Sequence, residues 1–216
     1  MNIVDLSYLL HPGKEQRQLH ITPITLLETH GSTSFSIEFN NHIGTHVECP
    51  YHNLPDGKTI DQMSPEIFVG EAEVLDLTFR RKDREISAEH LEVVGARVKS
   101  GDIVLLMTRY DEQFSPNEMQ SEKYQAMSPY LTFDATTWLI QRGVKLVGID
   151  FWSIEQYPIG PEGEPKHILL FDKDIPLIHS LTNLGILSQT RILFVALPLP
   201  IIGVDSMPVR AIAIET

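Results

Sequence analysis

The sequence predicts a mixed α/β protein, a single domain over residues 1–216 in which helices cover a central sheet. Three observations carry this. "DIVLLMT" and "VKLVGID" are almost wholly apolar, as strands buried on both faces are. Segments with helical spacing and capping residues stand beside them, at "SAEHLEVVGARVKSG" and "TFDATTWLIQRG". No internal repeat or shift of composition marks a boundary, and 216 residues are enough to bury a core without staples.

The elements follow in order. "NIVDLSYLL" reads as an opening strand and "HPGKEQ" as a turn. "HITPITLLETHG" is apolar and β-branched, a strand ending at Gly31, and "STSFSIEFNNH" alternates so that Phe35, Ile37 and Phe39 share a face. "SPEIFVG" has Ser64 at an N-cap, Pro65 at the first helical position and Gly70 past the end, a short helix. "EAEVLDLT" is a strand. Ser87 caps a helix with Leu91, Val94 and Val98 on one side, and Thr132 caps another that Gly143 stops. "FWSIEQYPIGPEGEPKHILLFDKD" is rich in Pro and Gly, so its middle is a loop. "RILFVALPLPI" and "PVRAIAIET" are the last strands, and "RRKDRE" at 80–85 is a solvated loop.

A net charge of −12 argues against nucleic acid and anionic membrane surfaces as partners, since both require a basic footprint. No run of about 18 apolar residues crosses a membrane. The N-terminus does not read as a secretory signal, and one cysteine allows no internal disulfide, so a reducing, cytoplasmic setting is expected.

The non-random feature is "HIGTHVECPYH", residues 42–52, which holds three of the nine histidines where even scatter would leave fewer than one. In a straight strand His42 and His46 would stand about 13 Å apart, too far for one ion. Gly44, Thr45, Val47 and Pro50 oppose a helix. The remaining solution is a chain that bends, with Gly44 supplying an unusual φ and Pro50 a second corner. Imidazole and carboxylate suit divalent Zn, Mn or Fe. His42, His46 and Glu48 then form a two-histidine, one-carboxylate set with positions open to water or substrate. His52 can join as a ligand or act as a general acid/base. Cys49, of opposite parity, points away. His11, His20, His30 and His90 are isolated and read as surface or structural residues.

These residues resemble the signature H-x-G-T-H-x-D-x-P-x-H of the cyclase family of metal-dependent hydrolases, which includes bacterial kynurenine formamidase (arylformamidase) and isatin hydrolase. "VKLVGIDFWSIE" looks like the family's G-I-D-x-x-S-[IV]-D. "HILLFDKDIPLIHSLTNLGIL" looks like its H-x-x-L-L…I-P-[IL]-x-E-x-L-x-N-L, and "ALPLPIIGVDSMPVRAIAI" like its closing L-P-L…G-x-D-[GS]-x-P-V-R-A-[IV]-A. The resemblance implies a swivelling β/β/α fold, a homo-oligomer (dimer or tetramer), and hydrolysis of a small amide or lactam by a metal-activated water. It makes His42, His46 and Glu48 metal ligands, His52 the acid/base, and His167 and His179 the positions of a second metal site. Thr45 is assigned to hold the ligand loop through its hydroxyl.

Three departures qualify this. The family's Asp is Glu48 and its distal Glu is His179, so the ligand charge falls from −2 to −1. Two close divalent ions repel and depend on shared anions. One tightly bound ion, Zn or Mn, is therefore expected over two, although Glu48 is long enough to bridge and His179 is itself a competent ligand. The N-terminal P-[VIW]-[YW]-P-G-D stretch reads "LLHPGKEQRQLHI" here, without the aromatic or the acid, so N-formylkynurenine does not follow as substrate. Phe151, Trp152 and Tyr157 can supply an aromatic wall instead, or pack in the core. Two rivals stand beside the hydrolase: a non-catalytic family member that binds metal and ligand, and an Fe(II) oxygenase using His42, His46 and Glu48 as a facial triad.

Overall fold

The two apolar runs take the centre of the sheet, where both faces are covered. In the computed structural model, which describes residues 1–14, 17–80, 83–114, 118 and 121–215, all five residues of the strand Ile103–Met107 are buried, as are all four of Leu146–Ile149. In chain order the strands are β1 (Asn2–Asp5), β2 (Leu19–Thr25), β3 (Ser34–Phe39), β4 (His46–Glu48), β5 (Val69–Asp76), β6 (Glu85–Ile86), β7 (Ile103–Met107), β8 (Tyr130–Leu131), β9 (Leu146–Ile149), β10 (Leu177–His179), β11 (Arg191–Val195), β12 (Ser206–Pro208) and β13 (Ile212–Glu215). The helices are α1 (Leu27–His30), α2 (Ala88–Val94), α3 (Glu122–Met127), α4 (Phe133–Gln141) and α5 (Pro165–Phe171).

Nine strands form one sheet in the order β1-β13-β11-β5-β7-β9-β10-β4-β12. β5, β7, β9 and β10 are parallel, joined by crossovers that carry the helices, and the flanking strands are antiparallel. Successive residues point to opposite faces. Leu75 and Leu106 therefore meet Leu91 of α2, Leu139 of α4 and Leu170 of α5. Val74 and Leu105 face the other way, into a core that Ala213 near one end of the sheet shares with Met207 at the other. The sheet curls around this second core while the helices cover the first.

Local departures from the sequence reading have local causes. β2 ends at Thr25, and the rest of "HITPITLLETHG" makes the one-turn α1, closed by Gly31 at φ 70°. Ser64–Pro65 opens a single 3-10 turn, Pro65–Phe68, and Gly70 lies inside β5 rather than ending a helix. Gly95 stops α2, with its N–H bonded to the Leu91 carbonyl, so Val98 is buried from beyond the helix. "IPLIH" supplies β10, and the loop reading of 80–85 falls partly on Arg81 and Lys82, outside the described residues. Phe35, Ile37 and Phe39 do share a face, but it is exposed: among the described residues β3 pairs only with β2, and Phe35, Ile37 and Phe39 lie opposite Pro23, Ile21 and Leu19. No helix among the described residues is long and apolar enough to cross a membrane.

Candidate metal centre

The histidine cluster begins where the hairpin ends. After β3 the chain turns through Asn40 and Asn41, and Gly44 takes φ +60°, which L side chains rarely adopt. A Cβ there would also stand 2.7 Å from Leu10 Cδ2. β4 then lies between β10 and β12, with His46 opposite His179 and Pro208, and Glu48 opposite Leu177 and Ser206. Two-residue periodicity puts His46 and Glu48 on one face, and Val47 and Cys49 in the core on the other. Cys49 thus points away from the ligands, and burial pushes its thiol up to about 12. Pro50 starts a 3-10 turn, Pro50–His52, that turns the chain back.

The second half of the site arrives on α5. Proline opens that helix, and the Glu155 carboxylate accepts the buried N–H groups of Lys166 (2.8 Å) and His167 (3.2 Å), which have no partner within the helix at its start. Glu155 is closed in by the Lys166 ammonium at 2.7 Å. His167 is buried and turned inward.

Glu48 is the centre of the arrangement. Its Oε1 lies 2.7 Å from His42 Nδ1 and 3.4 Å from His46 Nε2, and its Oε2 lies 3.0 Å from His179 Nε2 and 3.6 Å from His167 Nε2. One carboxylate thus faces four imidazoles, two from each oxygen. Burial opposes its ionisation, but His179, His46 and His167 outweigh that and hold its pKa well below the ordinary range. Burial pulls the His46 pKa down, with Glu48 offsetting part of it, which favours the neutral imidazole that ligates.

The outer ring nitrogens have oxygen partners that the local sequence does not name. His46 Nδ1 donates to the Gly44 carbonyl (2.7 Å), and His179 Nδ1 to the Trp152 carbonyl (2.9 Å). His167 Nδ1 sits 3.1 Å from Glu155, and His42 Nε2 is 2.9 Å from Asp205. In each case the nitrogen left over faces Glu48. Oxygen acceptors that fix the tautomer and aim the free nitrogen inward are what metal-ligating histidines require. The ligand atoms of His42, His46 and Glu48 lie within 4.8 Å of one another, as do those of Glu48, His167 and His179. These donors fit a divalent ion, in either group or across both.

His52 lies beside the ligands, its ring 4.7 Å from that of His42. Its Nδ1 is 2.7 Å from Asp205 and its Nε2 3.2 Å from Glu164. Burial pulls its pKa down, but the two carboxylates outweigh that and raise it to about 10. Asp205 joins His42 and His52 in a further group of possible ligands. The Thr45 hydroxyl donates to the Ser180 carbonyl (2.6 Å) and accepts from the Tyr8 N–H (2.7 Å), tying the ligand turn to the chain after β10 and to the N-terminal segment.

A cavity of about 180 Å³ opens onto the cluster, lined by His42, His46, Glu48, His167, His179, Arg17, Gln125, Trp152, Ser153, Glu164 and Ser180. Trp152 reaches it, with Tyr157 edge-on behind at 5.5 Å. Phe151, in the bend that follows β9, is fully buried and packs in the core under the helices instead. Asp205, Glu155, Glu164 and Arg17 were not singled out from sequence. Asp205 lies 153 positions from His52, and the faint signal was its place in "GVDSMPVR", within the closing family-like segment.

Comparison with known proteins places the chain among relatives. A family model described as "Putative cyclase" matches residues 4–156. A kynurenine formamidase of Salinibacter ruber is 32% identical over 178 residues, covering 82% of this chain and 77% of that protein. One of Bacillus cereus is 27% identical over 173 residues, covering 79% and 75%. Isatin hydrolase A from Ralstonia solanacearum superposes with a TM-score of 0.85 at 25% identity, over 98% of this chain and 91% of that one.

Proposed function

The chain belongs to the cyclase family of metal-dependent hydrolases, and from that premise we propose that it cleaves a small amide or lactam at a carbonyl C–N bond. The observation that carries this is the single carboxylate of Glu48 facing four imidazoles whose outer nitrogens are each anchored to oxygen. A divalent ion held there supplies Lewis acidity toward the carbonyl oxygen and an activated water. His42, His46 and Glu48 would hold it, with His167 and His179 offering a weaker second position. Only one anionic side chain is shared between the two groups, so one tight ion, Zn or Mn, is favoured over two.

His52 is the residue that moves the proton. Asp205 holds its Nδ1, and Nε2, shared with Glu164, is the nitrogen that would give a proton to the leaving nitrogen and recover one from water. Thr45 keeps the ligand turn in register with β10. Trp152 lines the substrate cavity. The active form is a homo-oligomer. What supports this is the hairpin of β2 and β3, whose apolar face is open, because a two-stranded hairpin is marginal without a partner.

The test is metal content per chain by elemental analysis, for protein purified without added metal, together with a screen of amides, lactams and lactones. About one equivalent of Zn or Mn, lost in Glu48→Gln, and turnover of at least one amide or lactam are expected. Metal without any hydrolysis would favour a non-catalytic binding member, and Fe-dependent oxygen consumption an oxygenase. Failure to take up ions on titration would overturn the site.

A further inference from the structure

The cavity holds one Lys or Arg side chain among the described residues that line it, and the reaction described above has no use for it. Arg17 lies in the stretch "LLHPGKEQRQLHI", just before β2, and is partly buried. The hairpin places it: the chain leaves the cavity along β2 and returns along β3 to His42. The Asn40 N–H closes the base of the hairpin on the Gln18 carbonyl at 3.0 Å. Arg17 has a single weak hydrogen bond among the described residues, from Nη1 to Asn40 Oδ1 at 3.4 Å. Asn40 Oδ1 also accepts the His42 N–H at 3.0 Å, so it is a shared partner. A guanidinium has five donors in a planar fork, most of which this leaves unfilled.

The cavity's own carboxylates do not fill them. Glu48 is taken up by histidines, and Glu164 by the Asn53 amide (2.9 Å) and His52 (3.2 Å). Both act on the Arg17 charge through space, and neither forms an ion pair with it. Arg17 therefore presents unfilled, directional donors to a cavity whose carboxylates are engaged elsewhere. The partner that a guanidinium fork matches best in such a place is a carboxylate, held by two parallel hydrogen bonds.

We propose that Arg17 is a specificity residue that anchors a carboxylate of the substrate, so that the amide cleaved here is an acidic one, its carboxylate and scissile bond spanning the cavity from Arg17 to Glu48. This rests on the hydrolase reading above. Trp152, whose indole lines the cavity wall, makes an aryl amide a suitable probe.

The experiment compares 2-formamidobenzoate with formanilide, the same amide without the carboxylate. Both are assayed with the metal-loaded wild-type protein, Arg17→Lys and Arg17→Gln, and binding of 2-aminobenzoate is measured by calorimetry, which needs no turnover. A charge-assisted anchor predicts a preference for the carboxylated amide of ~10- to 100-fold in kcat/KM, expressed mainly in KM. In Arg17→Gln the ratio of the two kcat/KM values falls to near one, Arg17→Lys keeps part of it, and 2-aminobenzoate affinity drops by a similar factor. The same ratio in wild type and Arg17→Gln, or 2-aminobenzoate binding that is absent or equally tight in both, overturns the assignment. If neither amide is cleaved yet 2-aminobenzoate binding is lost in Arg17→Gln, the anchor stands and the hydrolase reading fails for these amides.

Discussion

Two regions meet at Asn40 and Asn41, and they are opposites. On one side, buried polar groups converge on Glu48, and each ring nitrogen of the four histidines has an oxygen neighbour. On the other side stands the hairpin, with Ile37 58% exposed and Phe35 48% exposed. Apolar groups usually go inside and charged ones outside. Here a short stretch of chain inverts both. The difference teaches that a buried polar cluster is stable only when its members satisfy one another, and that an exposed apolar face is stable only when something else covers it. The first requirement is met within the chain, and the second calls for another surface.

The largest expected effect tests the polar side. His52→Ala removes the group between Asp205 and Glu164 but none of the atoms that face Glu48. It should leave metal content unchanged and lower turnover by ~10²–10⁴, the usual range for a general acid/base. Normal turnover in that variant would take His52 out of the mechanism.

Next comes the hairpin. Ile37→Asp puts a charge in the middle of the apolar ribbon, opposite Ile21. If a second copy covers this face, wild-type protein should run in light scattering as a dimer or tetramer, and the variant should dissociate at concentrations roughly 100-fold higher, since a buried unpaired charge costs several kcal/mol. A wild-type monomer would break the comparison, leaving the apolar face uncovered by its own kind.

The smallest effect is a pH dependence. Burial raises the Glu164 carboxyl, but His52, His167 and Asn53 outweigh it and bring it down to about 2, from 4.5. A carboxyl lowered on folding stabilises above its unfolded pKa and loses that contribution as pH falls through the folded value. His52, raised from 6.5 to about 10, contributes fully below 6.5 and loses it as pH rises toward 10. The two overlap in the His52–Glu164 contact and are not added. Metal-free protein should therefore lose on the order of 2 kcal/mol between pH 4.5 and 2 from this pair. Glu164→Gln should flatten that limb in thermal melts at stepped pH, and an unchanged acid limb would remove the pair from the account.

Much of the fold is legible in the sequence. The apolar runs became β7 and β9 because a strand buried on both faces has no polar position to spare. Thr132 caps α4 through its hydroxyl, which accepts the Ala135 N–H, and Gly143 follows it at φ 68°. The bend at Gly44 followed from excluding both a straight strand and a helix. The shared face of Phe35, Ile37 and Phe39 on β3 is legible, but its exposure is not, because alternation identifies a face and not what covers it. Phe151 and Trp152 could not be sorted, since adjacent residues after a strand go to opposite sides and composition does not say which side is the cavity.

What the sequence by itself determined is local in origin: the strands and capped helices, the turn of "HIGTHVECPYH", and the ligand types carried on it. Each depends on neighbours within a few residues, whose sterics and hydrogen bonds are readable in order. The tertiary structure alone decided the rest. It brought Asp205 to His52, Glu155 to His167 and Arg17 to the cavity, and it set His179 beside His46 by the register of β10 on β4. These partners are distant in sequence or joined only by strand pairing. Their meeting depends on how a nine-stranded sheet curls, and no short window of residues encodes that.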